Sequence, residues 1–337
     1  MFIKVPKSNG VNLKVLIGCI SFKNLTGSEL YVFELAKQLV KQGCDVSVCS
    51  NIGSPLADLA KPLGIKMYPL EEPPNFKMGD GEWVIESSDG NVISDSNTLY
   101  KIGNIKFDIL HLNHKPITEY LLELYPDIPA ICSIHSEIIS LEDPVVAPQI
   151  KKYIAIRPEI KDHLIKSFNI DQNLIEVIYN PIDPNKFKPN DIHRVGEKKR
   201  ILFVGAIHDL RQKTIEDLIK VTRKEKQELW IVGKKHDTYL DNISKKEPHV
   251  TYFEDAVDVE KYIHQCDETA GILLGRSTIE GWMCGKKGWI YDVDQKGTIK
   301  SKKLFDIPTD LDKFNSINIA KQIIEEYKTI LGLTIHV

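Results

Sequence analysis

Two apolar strand runs with a capped helix between them, all within the first fifty residues, constrain the fold of this chain more than any other feature. Val15 to Ile20 is a buried-strand run, and the loop Ser21 to Leu25 follows it. Thr26-Gly27-Ser28-Glu29 then has the spacing of a capping box, and Leu30, Phe33, Ala36, Leu39 and Val40 recur at helical intervals behind it. Gly43 stops the helix and Val46 to Cys49 is the next strand. A helix crossover joins parallel strands, and a parallel sheet carries helices on its faces, so the chain is read as α/β.

The alternation continues with strands at Ile65 to Tyr68, Ile109 to Leu112, Ala130 to Ile134 and Tyr153 to Ile156, a helix at about 158 to 168, and a short strand at Ile175 to Ile178. Residues 71–104 break the rhythm: Trp83-Val84-Ile85 and Asn91-Val92-Ile93 flank Ser88-Asp89-Gly90, a hairpin signal in an insertion. A second α/β series has strands at Ile201 to Val204, Leu229 to Val232 and Val250 to Phe253, with a helix over 214–225. Between the two series lies Asn180-Pro181-Ile182-Asp183-Pro184, followed by Asn185-Lys186-Phe187-Lys188-Pro189, dense in Pro and Asn as a linker is. The expected domains are therefore 1–184, carrying the 71–104 insertion, and 185–311. Residues 312–337 close the chain with an amphipathic helix that either caps the second domain or crosses back to the first.

A length of 337 residues suits two such cores, and a formal charge of −3 gives no reason to expect nucleic-acid binding by the whole surface. Cys19, Cys44, Cys49, Cys132, Cys266 and Cys284 form no C-x-x-C pair and read as reduced, buried small hydrophobes of a cytoplasmic protein. The N-terminal stretch lacks a signal-peptide h-region, and no apolar run approaches bilayer-spanning length; a peripheral membrane contact stays open.

Residues 268–292 carry the densest chemical signal. An apolar strand ends in Gly275-Arg276, a short helix carries Glu280 into a Cys-Gly turn, and a second apolar strand follows. With Ser277 or Thr278 as N-cap, Glu280 falls in the first helical turn, placed to accept from ribose hydroxyls while free backbone N–H groups face a phosphate. An acid in a first turn is also common simply as a complement to the helix dipole.

Together these pieces resemble the retaining glycosyltransferases of family 4, also called the group 1 family. The resemblance implies the GT-B architecture: two facing Rossmann-like domains, acceptor side first and nucleotide-sugar side second, with the active site in the interdomain cleft. The segment Gly27-Ser28-Glu29, then Leu35-Ala36, Leu39 and Gly43-Cys44-Asp45-Val46 is similar to the first loop and helix of that family, with Gly27 on the donor. Val177 to Asp183 and Phe187-Lys188-Pro189 resemble its interdomain stretch. Phe203-Val204-Gly205 and the loop to Lys213, with Thr214 as N-cap, resemble the start of its second domain. Lys213 aligns with the family lysine; Ala206 stands where its arginine is usual, and Arg211 is the substitute. Such cations stabilise the charge that grows on a diphosphate leaving group.

The family pattern Glu-x7-Glu is incomplete, because Glu280 matches the second acid while Ile272 occupies the place of the first. Gly275-Arg276 preceding Glu280 resembles a divergent branch with G-R-x-x-x-E. Asp108 to His114 is similar to D-V-x-H-x-H, with Asn113 at the cleft-facing His position and His114 beside it; Ile134-His135-Ser136-Glu137 is similar to T-x-H-D. The resemblance implies catalytic or sugar-contacting roles for Asn113, His114, His135, Arg211 and Lys213, and donor binding by Gly205, Gly275, Arg276, Ser277, Thr278 and Glu280. His111 reads as a buried, satisfied histidine. His111 and His114 do not make a metal pair at a strand end, so no metal or other cofactor is expected. The implied activity is transfer of a sugar from a nucleoside diphosphate sugar, with retention, to a glycan, lipid, protein or modified nucleobase. A catalytically silent sugar-nucleotide binder is the alternative. A Rossmann dehydrogenase is disfavoured, since no G-x-G-x-x-G follows the first strand.

Overall fold

Each of the two α/β series closes its own sheet. The computed structural model describes residues 12–70, 75–79, 82–86, 102, 105–190, 196–234, 243, 246–254 and 256–333. The chain divides into two compact units: one holds the chain up to Asn24, Ser28–Pro181 and everything from Ser316, and the other holds Leu25–Gly27 and Ile182–Asn315.

In chain order the first unit contains β1 (Lys14–Phe22), β2 (Asp45–Ile52), β3 (Lys66–Pro69), β4 (Asn75–Gly79), β5 (Glu82–Glu86), β6 (Ile109–Asn113), β7 (Ala130–Ile134), β8 (Ile150–Ala155) and β9 (Ile175–Val177). Its seven-stranded sheet has the order β3-β2-β1-β6-β7-β8-β9, with every pairing parallel. All five residues of β6 and of β7 are buried, as central parallel strands covered on both faces must be. The helices Gly27–Lys41, Lys115–Leu124 and Pro158–Phe168 make the crossovers. Pro158 sits in the first turn of the last of these, and Asn169 in the left-handed region ends it. The terminal helix Ser316–Ile330 belongs to this unit and buries Ile319, Ala320, Ile323, Ile324 and Tyr327.

The second unit contains β10 (Arg200–Val204), β11 (Glu228–Val232), β12 (Val250–Phe253), β13 (Glu268–Ile272), β14 (Lys287–Val293) and β15 (Ile299–Phe305). Its order is β12-β11-β10-β13-β14-β15, parallel except for the antiparallel edge strand β15. Both sheets are doubly wound. The strand order turns back between β1 and β6 in one and between β10 and β13 in the other, and open α/β sheets bind ligands at the carboxyl ends of such strand pairs.

Three local expectations need correction. Trp83–Ile85 does lie in a hairpin strand, but it pairs antiparallel with Lys77, Met78 and Phe76 on β4, and residues 91–93 lie outside the described region. The Asp80-Gly81 pair between these strands was the stronger hairpin signal in the sequence. The helix expected over 214–225 begins earlier, at Asp209, and runs to Lys224 with His208 as N-cap, so Thr214 is a buried interior residue and not a cap. The last helix is not continuous from 312: a 3-10 turn, Asp312–Phe314, precedes it.

Candidate functional site

At the switch point of the second unit, β10 runs into Gly205 and the helix Asp209–Lys224, while β13 runs into Leu273-Leu274-Gly275 and the helix Arg276–Met283. Gly205 has φ +153, and a Cβ there would meet Arg211 Nε at 3.2 Å; Gly233 has φ +155, and its Cβ would meet Gly205 O at 2.0 Å. Glycine is therefore required where these two backbones touch. Arg211 folds back over Gly205, donates to Ala206 O at 3.2 Å and contacts His208 Nε2. Loss of solvent lowers the Arg211 guanidinium from 12.5 to about 10, still charged at neutral pH. Among the described residues no carboxylate pairs with it. A desolvated cation in the first turn of a helix, beside a glycine loop, is suited to an anion.

Lys213 lies elsewhere. Two positions along a helix differ by about 200°, so Arg211 and Lys213 cannot converge from one helix. Lys213 is exposed and donates to Thr298 Oγ1 at 3.0 Å. It is in a helix and not in the loop that the sequence suggested.

Glu280 also departs from expectation. Gly275 is the N-cap, so Glu280 is the fifth helical residue and the first turn holds no acid. The dipole-complement explanation therefore fails with the placement it assumed. Glu280 is buried, with Oε1 accepting from Arg276 Nε at 2.7 Å, one turn back. Burial raises its carboxyl above the usual range, and the Arg276 charge opposes that shift. Ser277 and Thr278 face β13, where a Cβ on Gly271 would meet their hydroxyls at 3.1 and 3.2 Å. Leu273, just before this helix, has φ +54.

The first unit places its candidates at the matching position. His114 follows β6 with φ 69 and ψ 134, a conformation costly for a side chain other than glycine and often kept at functional junctions. Asn113 Nδ2 donates to Gly18 O at 3.0 Å, and its Oδ1 lies 2.9 Å from His135 Nε2. The backbone N–H of His135 donates to Glu142 Oε2 at 3.2 Å, while Glu142 Oε1 lies 3.4 Å from His114 Nε2. His114 Nδ1 accepts from Ile20 N–H at 3.4 Å. The ends of β1, β6 and β7 are thus stitched into a polar ring that holds Asn113, His114 and His135 together. Burial pushes His135 well below its ordinary value, helped by His114, His111 and Arg157; it pushes the Glu142 carboxyl up. His111 is buried and satisfied, 2.6 Å from Tyr327 Oη and 2.7 Å from Ser133 Oγ. Gly27 opens its helix as an exposed residue with no neighbour within 4 Å of a would-be Cβ.

The sequence profile of Glycosyltransferase Family 4 matches residues 25–186. A glycosyltransferase from Rickettsia africae ESF-5 shares the fold, with 14% identity, TM-score 0.63, and coverage of 96% of this chain and 100% of that one. Anabaena Alr3699/HepE, solved in complex with UDP and glucose, superposes with 15% identity, TM-score 0.61, and coverage of 96% and 92%. The pneumococcal O-GlcNAc transferase GtfA, solved in complex with UDP and GlcNAc, gives 11% identity, TM-score 0.61, and coverage of 97% and 100%. The protein has the GT-B fold of these structures. No curated protein matches the chain in sequence.

Within this GT-B fold the structure brings Asn113, His114 and His135, expected separately from the sequence, into one ring and sets Arg211 over Gly205. It did not find Glu142, which no motif marks, nor His208, which sits where a cap was expected six residues later. No group of three His, Cys, Asp or Glu side chains among the described residues could hold a metal ion, and no described helix is long and apolar enough to cross a membrane.

Proposed function

We propose that this protein moves a sugar from a nucleoside diphosphate sugar to a hydroxyl acceptor, with retention and without a metal, the diphosphate lying against Arg211. The observation that supports this most is the desolvated Arg211 guanidinium beside the Gly205 backbone, with no carboxylate partner among the described residues. A preorganised cation at that point stabilises the departing diphosphate, a task a metal ion performs in other transferases. The retaining outcome and the acceptor side in the first unit follow from the family resemblance.

HepE is solved with UDP and with UDP-glucose, so these are the first probes. In the presence of a chelator, UDP at about a hundred times its Kd should stabilise the protein by about 2.7 kcal/mol. A panel of nucleoside diphosphates that leaves the unfolding temperature unchanged would reject the donor assignment. A silent binder is favoured by one observation, the occupation of Glu280 by Arg276 next to the missing first acid at Ile272. Release of sugar or glycoside from a bound donor decides between the two.

A further inference from the structure

We propose that Asn113 is a positioning residue: it relays the Gly18 carbonyl to His135, fixing the imidazole as the Nε2-protonated tautomer and leaving Nδ1 open to accept from a ligand hydroxyl. The inference deepens the sugar-transfer reading and rests on it for the ligand class.

A backbone carbonyl only accepts, so the Asn113 amide must turn its NH2 group to Gly18 O, at 3.0 Å. Its Oδ1 then faces His135 Nε2 at 2.9 Å, and because Oδ1 only accepts, that nitrogen carries the hydrogen. Burial and the nearby His114, His111 and Arg157 keep the ring neutral, so Nδ1 has a bare lone pair. That atom is buried and has no hydrogen-bond partner among the described residues. Leaving it so costs about 1–3 kcal/mol, a penalty that a bound donor group removes.

His114 is set by the same strand. Ile20 N–H only donates, so His114 Nδ1 is bare and already used, and its hydrogen lies on Nε2 toward Glu142. The end of β1 thus assigns both tautomers through one C=O and one N–H, and only His135 retains an open acceptor. A lone pair repels phosphate and carboxylate oxygens and accepts from O–H. The ligand group here is therefore a hydroxyl, of a sugar or an alcohol acceptor, and not an oxygen of the diphosphate.

The test uses the full chain labelled with ¹⁵N-histidine and long-range ¹H–¹⁵N spectra. His135 should show a protonated Nε2 and a bare Nδ1. Asn113→Ala, which removes the oxygen facing Nε2, should lose that pattern and let the ring exchange between tautomers. In Asn113→Ala, turnover of UDP-glucose should fall about tenfold while UDP affinity is unchanged. Wild-type His135 carrying its hydrogen on Nδ1, or a folded Asn113→Ala with the wild-type pattern, overturns the proposal. Should Asn113→Ala not fold, the wild-type spectrum still decides. If the tautomers behave as expected but the wild type turns over no nucleotide sugar, sugar transfer fails as the reading and the relay from Gly18 survives.

Discussion

Removing Glu280 should destabilise the protein as well as weaken any ligand contact, because its side chain is 4% exposed and its partner Arg276 9% exposed. Breaking a buried ion pair from one side costs on the order of 3 kcal/mol, so Glu280→Ala should show that loss in urea unfolding, while replacing both residues by leucine should recover most of it. A loss below about 1 kcal/mol would mark the pair as no better than a surface contact. His111 gives a pH signature. Its imidazole is held neutral and burial lowers it from 6.5 to about 3, so the unfolded chain binds a proton in this window and the folded one does not. Its contribution is complete above 6.5 and is lost as pH falls from there toward about 3. His111→Gln should therefore flatten the loss of stability on acidification, measured by denaturant unfolding across that range. At this scale the sequence told the strand-end residues Asn113, His114 and His135 well, since parallel strands must end in loops. Glu280 was misplaced by most of a turn because Gly275, a weaker N-cap than Ser277 or Thr278, is the one the backbone uses.

The helix Asp209–Lys224 shows why an element's start matters to chemistry. Once it begins before Arg211, that side chain turns toward Gly205 while Lys213 turns toward the turn between β14 and β15. Arg211→Ala should weaken UDP binding by at least about tenfold, the range of a charged hydrogen bond, and Lys213→Ala by less than about threefold, by calorimetric titration. The opposite ranking would mean that the loop and helix rearrange around the ligand. The strands were legible from their apolar runs, and the helix from Ile215, Leu218 and Ile219. Its first turn was not, because Thr214 offers a better local capping signal than His208, and only tertiary packing overrides it. Gly297 shows that packing: a Cβ there would lie 2.5 Å from Leu210 O.

For the whole molecule, the doubly wound pattern of both sheets could be read from the alternation of strands and helices, but the return of the last helix could not. An amphipathic stripe states which face is buried and not against what. In the structure Tyr327 meets His111, Gln42 Nε2 donates to Ile317 O at 3.2 Å, and Lys152 lies 3.6 Å from Glu326, all within the first unit. Deleting the chain from Ser316 should therefore expose the β1–β6 region to proteolysis while β10–β14 stays protected, and equal protection of both would refute the assignment.

The first unit is interrupted: the chain leaves it at Pro181 and regains it at Ser316. On a ribosome the inserted unit is therefore complete while its host still lacks a helix. Domains commonly mature in the order in which they are made. Here the half begun first is finished last, and only after the whole inserted unit has been made can Tyr327 close over His111.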